Sequence, residues 1–156
     1  MAEVRALSLE EFLGDPATER LLQLHAQEST LEGRLELERE AYDFLEQAGL
    51  LFVLGLYHAV GAEPDALVGY SVNTMSPLLH FRRRLVCQNN ALFVDPHRRE
   101  RGLGRRLMRA TADEARARGA QSVFWSAKPG SRLSGIAAQH RWFARDIIFQ
   151  EDLVHG

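Results

Sequence analysis

Residues 92–105 read Leu92-Phe93-Val94-Asp95-Pro96-His97-Arg98-Arg99-Glu100-Arg101-Gly102-Leu103-Gly104-Arg105, and they join an apolar run to the start of an amphipathic helix. Upstream, Leu85 to Val94 has strand character; downstream, Leu103, Leu107, Met108, Thr111 and Ala115 recur at helical spacing up to Gly119. Gly102 and Gly104 remove side chains where a backbone must come close to a ligand. The first turn of the following helix offers N–H groups without intrahelical partners and the positive end of the helix dipole. That combination suits a diphosphate, and Arg98, Arg99, Arg101, Arg105 and Arg106 surround it with cationic charge. Arg-x-x-Gly-x-Gly on its own is equally an ordinary turn with solvated arginines; the strand before it and the helix after it give it weight.

Outward from this turn the chain alternates in a simple order. Val4 to Leu7 reads as a short strand, Ser8 with Glu11 as a capping box and Asp15-Pro16 as a second helix start. Leu37, Ala41, Phe44, Leu45 and Ala48 define one face of a further helix ended by Gly49. Leu50 to Tyr57, Leu67 to Met75 and Leu85 to Val94 are three consecutive strands, with a turn at Gly61 to Asp65, and they predict an antiparallel meander. After the helix from Leu103, Ser122 to Ser126 is a strand in strand–helix–strand order, which implies a parallel crossover. A short helix near Ser131 to Gln139 and a last strand from Phe143 to Leu153 complete the pattern. The expected class is α/β in the α+β sense: a mixed, largely antiparallel sheet flanked by helices in one domain, 1–156.

Competing phosphate loops fail on the letters. A Walker loop needs Gly-Lys before Ser or Thr, but the only lysine, Lys128, lies between Ala127 and Pro129. A dinucleotide fingerprint needs a glycine three residues beyond Gly104, where Leu107 stands. Instead, Val94 and Pro96 through Arg99 to Gly102 and Gly104 match every specified position of Val-x-Pro-x-x-Arg-x-x-Gly-x-Gly, and the segment resembles the pyrophosphate motif of the GNAT superfamily of N-acetyltransferases. The closing stretch from Trp125 to Gly130 resembles a phage-associated branch of it.

The resemblance implies a sheet in which the strand before the motif splays from its neighbour and pairs with the pantetheine arm of acetyl-CoA. Leu92, Phe93 and Val94 map onto that strand end, and the backbone from Arg99 through Glu100, Arg101, Gly102, Leu103 and Gly104, with Arg105, onto the diphosphate site. Ser126 and Lys128 would border the same ligand more loosely. It further implies direct transfer of an acetyl group to a small-molecule or peptide amine, with no covalent enzyme intermediate. A homodimer is compatible with the C-terminal edge strands.

The proton-handling residues depart from the family's pattern. Members often place a carboxylate on the strand before the motif, but residues 66–94 contain no Asp or Glu, and Gln88, Asn89 and Asn90 stand in the corresponding positions. An amide cannot accept the proton at neutral pH, though it can orient a water that does. The usual acid, a late tyrosine, aligns with Ala137. His80, at a strand end and with an ordinary pKa near neutrality, is the candidate base, set against a plain surface histidine; His140 is a weaker candidate acid. Arg82, Arg83 and Arg84 read either as contacts for an acidic acceptor or as a charged hairpin edge. On the acceptor side Glu28, Glu32, Glu36, Glu38 and Glu40 would attract a cationic amine, or simply form a solvated helix face.

Composition bounds the rest. With 156 residues and 46% hydrophobic content the chain can bury a core without staples. Its single cysteine, Cys87, rules out an intrachain disulfide and a multi-thiolate metal site, and the six histidines show no ligand spacing, so no metal is expected. A formal net charge of −2 supplies no global attraction to nucleic acid or membrane, and there is no basic leader or long apolar run, so a cytoplasmic protein is expected. Three readings stand in order: an acetyl-CoA-dependent N-acetyltransferase, a catalytically silent acyl-CoA sensor or scaffold, and an arginine-mediated nucleic-acid binder.

Overall fold

The computed structural model describes residues 1–29, 37–59, 62, 64–99, 102–140, 142 and 148–153. Its elements are β1 (Ala2–Leu7), α1 (Leu9–Gly14), α2 (Thr18–Glu28), α3 (Arg39–Gln47), β2 (Leu51–His58), β3 (Ala66–Pro77), β4 (Leu85–Val94), a 3₁₀ turn (Pro96–Arg98), α4 (Leu103–Ala117), β5 (Ser122–Trp125) and α5 (Arg132–Gln139). Met1–Trp125 and Ser126–Gly156 form two compact units.

In the first unit the strands lie in chain order, β1-β2-β3-β4-β5. The first four are antiparallel neighbours, and β5 joins parallel to β4 after the α4 crossover. The mixed, largely antiparallel sheet flanked by helices is therefore the architecture that forms. Helices cover both faces, which explains why Leu51 to Leu56 is buried without interruption. Phe52, Leu54 and Leu56 point to the α4 side with Leu103 and Leu107, whereas Leu51 and Val53 join Phe12, Leu21, Tyr70 and Phe93 under α1 and α2.

Local signals act as expected at several ends. Ser8 accepts from the Glu11 amide while the Glu11 carboxylate accepts from the Ser8 amide, both at 3.0 Å. The start at Asp15-Pro16 is shifted: Asp15 accepts from the Ala17 amide at 2.9 Å, and α2 begins at Thr18. The stripe on α3 differs from the expected one. Leu37, Tyr42 and Leu45 pack against the core, while Phe44 is 69% exposed. Of the turn at Gly61 to Asp65, Gly61 and Glu63 lie outside the described residues. Cys87 is buried, and burial pushes its thiol up to about 11, as suits a small hydrophobe rather than a nucleophile.

The sheet leaves no room at Gly69, which pairs with Val94. A Cβ there would lie 2.6 Å from the Phe93 carbonyl oxygen and 3.2 Å from the Val94 Cα, both backbone atoms. Gly69→Ala is expected to lose about 2 kcal/mol by forcing β4 outward. Urea unfolding of the variant measures this; an unchanged midpoint would mean that β4 moves without cost.

In the second unit, Ser131 caps α5 by accepting from the Ser134 amide at 3.2 Å. His140 and Trp142 stack at 5.2 Å. The strand expected over Phe143 to Leu153 is not found in its described part: residues 148–153 have no regular structure, and residues 143–147 lie outside the description.

Candidate active site

β4 is bordered on both sides for only part of its length. Its pairing with β5 runs from Val86↔Ser122 to Asn89↔Trp125, whereas its pairing with β3 continues to Gly69↔Val94. The antiparallel ladder alternates in direction, and the Asp95 amide donating to the Val68 carbonyl at 2.7 Å sets the phase. Val94 and Leu92 consequently direct their N–H and C=O groups away from β3, toward the side where β5 has ended. The Val94 carbonyl is occupied by the Arg99 guanidinium at 2.9 Å. Among the described residues, no strand pairs with the Leu92 N–H and C=O or the Val94 N–H, and β4 runs on past β5 with an opening on that side. The shift in register between Val72/Asn73 places one extra residue, Asn90, in β4 and marks a bulge where the opening starts.

Below the opening, Asp95 holds the turn. Its side chain is 1% exposed and accepts from the His97 amide at 2.9 Å and from Arg20 of α2 at 2.6 Å. Burial by itself would raise its pKa, but the Arg20 hydrogen bond, the His97 amide and the charges of both residues outweigh it and hold the carboxyl below its usual value. Arg99 does not turn its side chain toward the glycines. It bonds Val94, pairs with Glu28 at 2.6 Å and lies over the Phe93 ring at 5.7 Å, so it fastens the turn to β4 and α2.

Gly102 is the N-cap of α4 at φ 95°, a left-handed conformation in which no side chain helps to cap the helix. The first intrahelical bond runs from the Arg106 amide to the Gly102 carbonyl at 2.9 Å, so the amides of Leu103 and Gly104 precede it. The Leu103 side chain is buried in the core and offers only its backbone, and Arg105 is exposed. A Cβ built on Gly102 or Gly104 would meet nothing within 4 Å. An open cradle of helix N-terminal amides below a strand with outward-facing polar groups fits a long ligand ending in a diphosphate. Glu100 and Arg101, the other two residues expected here, lie outside the described residues.

The remaining candidates are dispersed. His80 is exposed in the loop that closes β3 and β4 at Pro77↔Leu85, the end of β4 opposite Val94. Nine steps of strand, about 30 Å, separate Leu85 from Val94. Among the three amides, Gln88 and Asn90 are exposed, while Asn89 is buried and bonded inward. Arg82, Arg83 and Arg84 are exposed in the His80 loop, with Arg83 at φ 65°. Ser126, Lys128 and His140 belong to the second unit. Glu28 is committed to Arg99, whereas Glu38 and Glu40 are exposed and Glu32 and Glu36 lie outside the described residues.

Two features went unread in the sequence. Arg20 with Asp95 is one; its signal is an acidic residue directly before Pro96, a position that caps a turn. The other is His25 of α2, which meets the Tyr70 hydroxyl at 2.7 Å and stacks on Phe93 at 4.9 Å. Burial lowers its pKa, against the opposing pull of Glu28, and so favours the neutral imidazole. Among the described residues, no group of three His, Cys, Asp or Glu side chains is placed to hold a metal ion, and no helix is long and apolar enough to cross a membrane.

A sheet opened at the end of its fourth strand, followed by a glycine-capped helix, defines the acyl-CoA N-acyltransferase fold. The Acetyltransferase (GNAT) family model matches residues 16–138, and the chain belongs to that family. Solved structures agree at low identity. An acetyltransferase of Trypanosoma brucei superposes with a TM-score of 0.69 at 20% identity, covering 98% of this chain and 100% of that one. An aminoglycoside acetyltransferase from an uncultured soil metagenomic sample, in complex with sisomicin, gives 0.70 at 15% identity, with 99% and 97% covered. A ribosomal-protein-alanine N-acetyltransferase of Brucella melitensis gives 0.68 at 18% identity, with 100% and 99% covered. No curated protein sequence matches the chain.

Proposed function

We propose that this protein transfers an acetyl group from acetyl-CoA directly to an amine carried by a small molecule or peptide. The observation that carries the reading is the opening beyond Asn89↔Trp125 set above the open glycine cradle at the start of α4. The Leu92 and Val94 backbone would pair with the pantetheine arm, and the amides from Arg99 to Gly104, with Glu100, Arg101 and Arg105 beside them, would hold the diphosphate. The acyl donor is a substrate, and no metal takes part. The amine nitrogen attacks the thioester carbonyl carbon, the C–S bond breaks, and CoA departs as the thiolate, which takes up a proton. Backbone donors fixed at the opening would stabilise the developing oxyanion.

The amine's proton leaves through water or His80. The position of His80 on the far hairpin favours water, held by the exposed amides of Gln88 and Asn90. We further propose that residues 1–156 act as a single catalytic domain in the cytoplasm, alone or as a homodimer. Acceptors of two kinds appear among the structural neighbours, aminoglycosides and a ribosomal protein's alanine, and both frame the first screen.

Calorimetric titration with acetyl-CoA and CoA tests the donor, followed by a screen of aminoglycosides, alanyl peptides and polyamines for CoA release. Saturable binding of acetyl-CoA and turnover on one amine class are expected. Binding without turnover on any amine would favour the acyl-CoA sensor, and absence of binding would remove the transferase reading. The nucleic-acid reading would require affinity that falls steeply with salt and survives changes at Gly102 and Gly104.

A further inference from the structure

Four polar side chains lie in the interior where β3, β4 and α4 meet: Ser71 and Thr111 at 0% exposure, Asn73 at 0% and Asn89 at 4%. Polar groups this deep are costly unless each is bonded. Here the donors and acceptors assemble into one chain. The Asn89 amide nitrogen donates to the Ala91 carbonyl at 3.1 Å and to the Asn73 amide oxygen at 2.8 Å. Asn73 donates to the Ser71 hydroxyl at 2.9 Å. Ser71 and Thr111 share a hydrogen bond of 2.8 Å, and the Thr111 hydroxyl donates to the Leu107 carbonyl at 2.9 Å. If Thr111 gives its proton to Leu107, Ser71 gives its own to Thr111. Each hydroxyl proton is then used once, Asn89 also approaches the Ser71 hydroxyl at 3.1 Å, and the cluster ends on a backbone carbonyl at each side.

Those two ends are informative. Ala91 lies just past the bulge in β4, at the base of the outward-facing Leu92 and Val94 groups. Leu107 is in the second turn of α4, directly after the glycine cradle. The sheet ladder alone does not fix this spacing, because a bulge interrupts it and β5 no longer borders β4 beyond Asn89. An apolar core would pack the same space but would not set the direction of a backbone carbonyl.

We infer that Asn89, Asn73, Ser71 and Thr111 are positioning residues, a buried amide–hydroxyl chain that locks the bulged end of β4 to α4 and so sets the spacing between the strand groups and the diphosphate cradle. As a statement about acyl-CoA binding, this rests on the function proposed above. No member of the chain titrates near neutrality, so its effect is independent of pH between about 6 and 9.

Thr111→Val keeps the shape and removes the hydroxyl, and Thr111→Ser restores it. Thr18→Val is the control: it removes another buried hydroxyl, bonded to the Phe12 carbonyl, on the α2 side of the sheet. Ser71→Ala serves as a second disruption should Thr111→Val fail to fold. Acetyl-CoA affinity by calorimetry and residue-resolved amide exchange by NMR are measured on all of them. Thr111→Val or Ser71→Ala is expected to weaken acetyl-CoA by about tenfold, the equivalent of one broken hydrogen bond, and to speed exchange selectively over residues 90–94. Thr111→Ser and Thr18→Val should stay within about twofold of the unmodified protein.

Equal affinity in Thr111→Val and Thr18→Val would overturn the inference. If the unmodified protein does not bind acetyl-CoA, the donor reading fails, and exchange decides the positioning claim by itself. Selective loss of protection over 90–94 would then sustain it, and a change spread evenly over the sheet, or none, would overturn it.

Discussion

Gly104→Trp should abolish measurable acetyl-CoA binding, a loss of at least about a hundredfold, while leaving the protein folded. The two halves of that expectation come from the same observation. Gly104 lies in the first turn of α4, where a Cβ added to it would have no atom within 4 Å, and it does not occupy a left-handed conformation. A Cβ there meets no described atom, so the fold is expected to accept a side chain at this position, and replacing a helical glycine favours the helix by up to about 0.5 kcal/mol. On the proposed function the space at Gly104 belongs to the diphosphate, and an indole would occupy it. Calorimetry paired with urea unfolding separates the two effects. A variant that still binds acetyl-CoA with native affinity would place the ligand elsewhere.

Arg20→Met carries the largest expected cost to stability, about 3 kcal/mol at pH 7. It strands the Asp95 carboxylate, 1% exposed, with the His97 amide as its remaining partner. The sign of the pH dependence follows. In the unmodified protein Asp95 is depressed below its unfolded value. Its contribution is therefore complete above about pH 4, the unfolded carboxyl range, and is lost as pH falls through the lower folded value. Removing Arg20 takes away two of the influences that lower the Asp95 pKa and leaves burial opposed only by His97, so the variant's carboxyl is expected to sit higher and its protonation to relieve the folded state. The difference in stability between the two proteins should narrow as pH falls from about 7 to 4. Denaturant titrations at several pH values check this; a constant difference would mean that Asp95 does not depend on Arg20.

Strong periodicities were readable in the sequence. β4 runs from Leu85 to Val94 and α4 buries Leu103, Leu107, Met108, Thr111 and Ala115, both as the letters indicate. What the letters could not carry is parity across a bulge. Simple alternation would put Cys87 and Leu92 on opposite faces, yet both pack toward α4. One extra residue at Asn90 reverses the sequence's sidedness, and of the three amides standing where the family often has a carboxylate, Asn89 is bonded inside the core. Thr111 shows the complementary effect. Its place on the apolar stripe was visible, whereas its partner Ser71, 40 residues away on β3, was not. The role of Arg99 was hidden similarly, because nothing in the motif says whether a guanidinium faces the ligand or the chain that frames it.

The opening in the sheet also has a colloidal consequence. Past Asn89, one side of β4 is a strand edge among the described residues, with backbone groups oriented to accept an extended chain. Edges of this kind invite pairing between molecules. The slot where β4 runs on past the end of β5 is a seam of this kind. Saturating such a slot with its own ligand would protect the protein from self-association as well as from heat, so the ligand-free state is the one to avoid during concentration and storage.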